Sequence, residues 1–155
     1  MPFQIHALDP APYTALFSLT ETDLTARGIH RMTADSAPGY PCRVSLEDAA
    51  IGETVLLLNH EHLAGPSPFR ASHAIYVRKN AAQARPAPGD VPEVMARRLL
   101  SLRALDAGQM LLEAEVVPGD AAAPALERMF DIPEVAQVHI HYAAPGCFAA
   151  RALRA

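Results

Sequence analysis

The sequence predicts a single α+β domain: an antiparallel-rich mixed sheet with about three helices packed mainly on one face. Three observations lead there. Segments of strand composition outnumber helical ones. The turn Asp106-Ala107-Gly108 joins two strand-like runs as a hairpin would. In the second run Leu112, Ala114 and Val116 alternate with Glu113 and Glu115, the pattern of a sheet with one wet face. Length agrees, since 155 residues are most simply one domain (1–155) and can bury a core without staples.

The elements follow in order. Residues 2–8 read as a short strand. Residues 11–17 and 20–27 read as short helical segments; in the second, Thr20 and Asp23 have the spacing of a capping box and Gly28 is the stop. Arg43-Val44-Ser45-Leu46-Glu47 reads as a strand after Tyr40-Pro41-Cys42. Ile51-Gly52 marks a turn before 54–59, an aliphatic strand. Gly65, Pro66 and Pro68 make 61–70 a loop, and 72–78 is the next strand. Residues 81–89, with Pro86 and Pro88, read as a mobile surface loop. Asp90 and Glu93 suggest a capped helix reaching Arg98. The hairpin strands are 99–105 and 109–117. Asp120 starts a helix whose Leu126, Met129 and Phe130 form an apolar stripe suited to core packing. Residues 135–143 close as the final strand, and Arg151 and Arg154 read as a solvated end.

Composition excludes several classes. Half the residues are hydrophobic and 19% are charged, as in a soluble globular protein. A net charge of -4 argues against a nucleic-acid partner or an anionic membrane surface. Met1-Pro2-Phe3-Gln4-Ile5-His6 lacks the basic segment and apolar run of a signal peptide. No apolar stretch approaches the ~20 residues of a membrane span. A cytoplasmic location is therefore expected, with Cys42 and Cys147 as reduced thiols. The eight glycines are scattered, so no phosphate-cradling loop is present.

The chemistry concentrates in a few places. Val138-His139-Ile140-His141-Tyr142 reads as a strand, and residues i and i+2 of a strand face the same way. His139 and His141 would project side by side. They suit a metal, with His62, His73 or Cys147 as a third ligand, because zinc takes His nitrogen and Cys sulfur in a tetrahedral shell. They equally suit acid/base work. Glu61 beside His62 could orient that imidazole or raise its pKa. Arg70 precedes Ser72-His73, and Arg43 and Arg151 lie close to Cys42 and Cys147; guanidinium forks grip carboxylate or phosphate at two points. A cysteine beside Arg or imidazolium can also act as a nucleophile. Against each stands a plainer role: hydrogen-bonded histidines, surface ion pairs and small buried thiols. Arg78, Arg97, Arg98 and Arg103 read as ordinary solvated charges.

The runs Pro38-Gly39-Tyr40-Pro41-Cys42-Arg43-Val44-Ser45-Leu46-Glu47-Asp48-Ala49, Arg70-Ala71-Ser72-His73-Ala74-Ile75-Tyr76-Val77-Arg78 and Pro145-Gly146-Cys147-Phe148-Ala149-Ala150-Arg151 together resemble a family of small uncharacterised bacterial proteins. It is the domain of unknown function numbered twelve hundred and three. The resemblance spans essentially the whole chain. It implies a bacterial, single-domain protein and brings no activity or catalytic residues with it. It implies that Cys42, Arg43, Glu61, His62, Arg70, Ser72, His73, His139, His141, Cys147 and Arg151 belong to the family's motifs. His60 stands where an aromatic such as tyrosine is expected, which makes His62 the better imidazole of that pair.

The reading that results is a small enzyme of the hydrolase or transferase kind. His62, His73, His139, His141 and Cys147 are its candidate catalytic groups. Cys42, Arg43, Glu61, Arg70, Ser72 and Arg151 would bind a small anionic substrate. No cofactor is predicted; zinc on His139 and His141 is the alternative left open. The other function class is a non-enzymatic module that binds a metabolite or metal in the same pocket. A third reading makes these residues a buried hydrogen-bond network that specifies the fold.

Overall fold

The computed structural model describes all 155 residues. The strands are β1 (Phe3–His6), β2 (His30–Thr33), β3 (Thr54–Leu63), β4 (Ala71–Arg78), β5 (Leu99–Leu105), β6 (Leu111–Pro118), β7 (Gln137–Tyr142) and β8 (Phe148–Arg154). The α-helices are α1 (Ala11–Thr14), α2 (Glu21–Ala26), α3 (Glu93–Ala96) and α4 (Ala122–Asp131). The α+β class therefore holds. The single sheet expected from sequence is instead two: five strands in the order β1-β8-β7-β5-β6, and three in the order β2-β3-β4. No helix is long and apolar enough to cross a membrane.

The chain forms two compact units. One comprises Met1–His6, Glu61–His73 and Arg85–Ala155; the other comprises Ala7–His60 and Ala74–Ala84.

In the first unit the five-stranded sheet is antiparallel at every joint. Alternation sorts its side chains into two faces. Leu100, Leu102, Ala104, Val138, Ile140, Ala150 and Ala152 are fully buried on one of them. α4 packs against β1, β5 and β6 and buries Ala125, Leu126, Met129 and Phe130, so the apolar stripe is indeed core. The opposite face carries a polar row. His6 opposes Arg151, Arg151 opposes His139, and His139 opposes Arg103; in the next row His141 opposes Ser101. Residues directly opposite share a face.

β8 was not expected as a strand. Its alanines have low strand propensity, but it is held by antiparallel pairing to β1 on one side and β7 on the other. Arg154 is no solvated end. Its guanidinium donates to the carbonyls of Phe130, Ile132 and Val135 and lies over the Phe130 ring, 5.3 Å from its centroid. Asp90 does not cap α3, which starts at Glu93 after Pro92 with no side-chain cap. Gly119 sits against α3: a Cβ there would lie 1.9 Å from the Met95 carbonyl oxygen.

In the second unit Leu24, Cys42, Val44, Leu56, Leu58, Ile75 and Val77 form the core. Thr20 caps α2 as expected, its Oγ1 accepting from Asp23 N–H at 3.1 Å. The strand expected at 43–47 is a tight turn. Cys42 N–H donates to the Glu47 carbonyl, Leu46 N–H donates back to Cys42, and Leu46 adopts φ 51°, which breaks any extended run. Residues 81–89 have no regular structure yet are tied down at intervals. Ala84 N–H donates to Val44 O and Gln83 Nε2 to Ala7 O; in the first unit Gly89 N–H donates to Phe3 O.

Candidate functional site

The segment Glu61–His73 was expected to be loop to Arg70, but β3 continues through Leu63, so His62 is a strand residue with a fixed direction. His73 lies near the start of β4, so it too is a strand residue. β7 contributes His139 and His141, which share a face as the sequence implied, with ring centroids 6.4 Å apart. All four imidazoles belong to the first unit and converge there.

His62 is the hub. Its Nδ1 lies 3.0 Å from His139 Nδ1, and its Nε2 lies 2.7 Å from His73 Nδ1. Phe148 stacks flat on its ring, with centroids 4.7 Å apart and an interplanar angle of 6°. His141 meets the His62 ring edge-on at 4.9 Å. His139 and His141 are 2% and 0% exposed.

Hydrogen bonds assign the protons. His141 Nδ1 lies 3.0 Å from the Gly146 carbonyl, which can only accept, so Nδ1 carries the hydrogen. Its Nε2 is then a bare lone pair, and it is buried with no hydrogen-bond partner. His139 Nε2 likewise donates to Gln137 Oε1 at 3.2 Å. With His139 as a neutral ring, its Nδ1 accepts, so His62 donates from Nδ1 and presents Nε2 as a lone pair. One ring nitrogen from each of His62, His73 and His141 lies within 4.8 Å of the others.

Electrostatics favours the neutral form of His141 and His73. Burial pushes His141 down to about 3, opposed by the Gly146 hydrogen bond and reinforced by the Arg103 charge. Burial also lowers His73, again with Arg103 repulsion behind it. Neutral imidazole is the form that ligates metal or accepts a proton.

The cluster opens into a cleft of about 210 Å³. His62, His139, His141 and Arg103 supply its polar wall; Leu63, Phe69, Leu105 and Leu111 supply the apolar one. Arg103 read as a solvated charge in sequence, yet it is half-buried here. No carboxylate pairs with it, and its Nε donates only to Ser101 Oγ at 3.4 Å.

The remaining candidates are not among the residues that line the cleft. Arg70 makes a two-point ion pair with Glu61, and both are exposed. Ser72 and Arg151 are exposed, Arg151 in the row of His139. Cys147 is partly buried, with its carbonyl accepting from Tyr142 N–H. Cys42 and Arg43 belong to the second unit. Cys42 Sγ accepts from the Ser45 and Arg78 N–H groups at 3.4 and 3.3 Å. Arg43 is 1% exposed and donates to the Pro41 carbonyl at 2.6 Å.

Sequence reasoning missed Arg103, Phe148 and Gln137. The available signal was alternation: Gln137 precedes His139 by two, and Arg103 falls between core residues Leu102 and Ala104, on the opposite face.

Fold and site thus define an α+β protein with a histidine-lined cleft on the polar face of an antiparallel sheet. The sequence model of the family described as "Protein of unknown function (DUF1203)" matches residues 39–154, and the chain belongs to that family. No curated protein and no solved structure matches it.

Proposed function

We propose that His62, His73 and His141 hold one divalent transition metal, zinc by donor type, and that the protein is a metal-dependent enzyme of the hydrolase kind. The observation that carries this is the His141 Nε2 lone pair, deprotonated by its own bond to Gly146, buried, and partnerless beside two other imidazoles. An orphaned buried acceptor is unfavourable by roughly 1–3 kcal/mol, and a metal ion removes that penalty.

The donor set fits. Three neutral imidazoles with an open fourth position are a catalytic zinc shell, whereas structural sites are closed by four protein ligands. Zn–N bonds of about 2.05 Å at tetrahedral angles put the nitrogens about 3.3 Å apart. The three candidate donor atoms lie within 4.8 Å of one another, so the rings need only draw together around the ion. Such an ion lowers the pKa of bound water to near 7 and supplies a hydroxide nucleophile. The chain's own contribution is to aim the ligands: the Gly146 carbonyl fixes His141, and the Gln137–His139 pair fixes His62.

Elemental analysis of the purified protein after zinc loading tests this. One metal per chain is expected, lost in His141→Ala and in His73→Ala. A folded wild-type chain that retains no zinc, cobalt or manganese would overturn it. The 2.7 Å contact between His62 and His73 favours a second reading, metal-free imidazole acid/base catalysis by a hydrolase or transferase. It predicts activity that survives exhaustive chelation. Tight metal binding without turnover on any ester or phosphoester would instead leave a binding module.

A further inference from the structure

We infer that the cleft takes a small organic anion, a carboxylate or phosphate monoester with an apolar body of about one ring, its charged head on Arg103. The inference rests on the metal-centre reading for what happens at the reacting bond. The anion subsite itself stands on Arg103 and the cleft walls.

Charge is the first argument. Arg103 opposes His139 directly across β5 and β7, and Ser101 opposes His141, so the guanidinium stands on the same sheet face as the imidazoles. It has no carboxylate partner and one long bond to a neutral hydroxyl. Imidazoles carry no negative charge to balance it, and a divalent ion among them would add two more positive charges. A ligand entering here meets an uncompensated cationic wall. A guanidinium fork matches the two oxygens of a carboxylate or phosphate in geometry as well as charge.

Size is the second. A cavity of about 150 Å³ holds a benzene molecule, and this cleft has about 210 Å³. That admits one ring or a short acyl chain plus a charged head. Pockets that enclose drug-sized ligands measure about 300–1,000 Å³, so nucleotides and peptides are too large to be enclosed here. The third argument is shape. Leu63 and Leu105 are buried, while Phe69 and Leu111 are 39% and 37% exposed, which gives an apolar wall that is closed behind and open in front. The body of the ligand would lie along that wall.

Calorimetric titration of zinc-loaded protein with benzoate, phenyl phosphate, inorganic phosphate and neutral benzamide tests the assignment. Benzoate or phenyl phosphate should bind wild type at least about tenfold more tightly than Arg103→Met. Both proteins should carry the same zinc per chain. Preference between the two ring anions identifies the head group, and weak inorganic phosphate shows that the apolar wall contributes. Should Arg103→Met fold poorly, Leu111→Glu at the open rim is the second variant, and its added charge should weaken both anions by a similar factor. Benzamide binding as tightly as benzoate would overturn the inference. So would a folded Arg103→Met, or a Leu111→Glu, that binds anions like wild type. If Arg103-dependent anion binding persists in a chain that holds no metal, the metal reading falls and the anion subsite stands.

Discussion

The Gly146 carbonyl oxygen accepts from His141 Nδ1 at 3.0 Å, and this one contact decides which nitrogen of His141 can act as a ligand. The carbonyl is aimed by a turn in which Gly146 adopts φ 77° and its N–H donates to Tyr142 O. Glycine takes that conformation freely, whereas a Cβ is strained there.

Gly146→Ala should therefore act on the metal site without touching it. No atom lies within 4 Å of the added Cβ, so the whole effect comes through the backbone. A stability loss of about 1 kcal/mol is expected. Zinc affinity should fall roughly tenfold as the carbonyl shifts. Competition titration against a chelating dye measures the second quantity, and unchanged affinity would remove Gly146 from the argument.

His139 is expected to support rather than ligate. Its Nε2 donates to Gln137 and its Nδ1 accepts from His62. His139→Ala should weaken zinc binding about 10–100-fold yet keep one metal per chain at saturation. His62→Ala should abolish it. If the two variants lose metal alike, His139 is itself a ligand, and the relay through His62 is wrong.

The contrast between these residues shows what the sequence could carry. That His139 and His141 share a face follows from strand alternation alone, and it was legible. That His62 and His73 meet His141 was not, because the His62–His139 contact joins residues 77 apart in sequence and depends on long-range register. Pro66 and Pro68 drew attention to a loop, so β3 seemed to end before His62 instead of at Leu63. Arg103 looked solvated because charge on one face of an alternating strand ordinarily means water. Here the segment Glu61–His73 supplies His62, Leu63, Phe69 and Ala71 to the cleft that Arg103 also lines. β8 went unseen because Ala149 and Ala150 carry no strand signal of their own; pairing with β1 and β7 on either side is what makes it a strand.

Acid should destabilise the metal-free protein before its carboxylates titrate. An unfolded histidine protonates near 6.5, while burial holds folded His141 neutral down to about 3. Between those values the unfolded state binds the proton and the folded state does not. Stability is therefore full above about 6.5 and lost as pH falls toward 3. His73 and His60 are lowered too, by burial and by repulsion from Arg103 and Arg43 respectively, and contribute with the same sign. Urea midpoints of chelator-treated wild type and His141→Gln, compared at pH 7.5 and 5, check this. The variant should lose part of the pH dependence; parallel curves would contradict the assignment.

Gly119 tests the frame independently of the cluster. Its N–H donates to Arg98 O at 2.7 Å, and a Cβ would sit 1.9 Å from Met95 O and 2.6 Å from Arg98 O. Both obstacles are backbone at α3 and the turn that follows it, so neither can swing aside as a side-chain tip would. α3 buries Val94 and Met95, which makes retreat of the helix expensive. Gly119→Ala should destabilise the protein by more than about 2 kcal/mol. The folded fraction should still hold one zinc, because Gly119 touches no imidazole. A denaturant midpoint within error of wild type would show that α3 yields more easily than its packing implies.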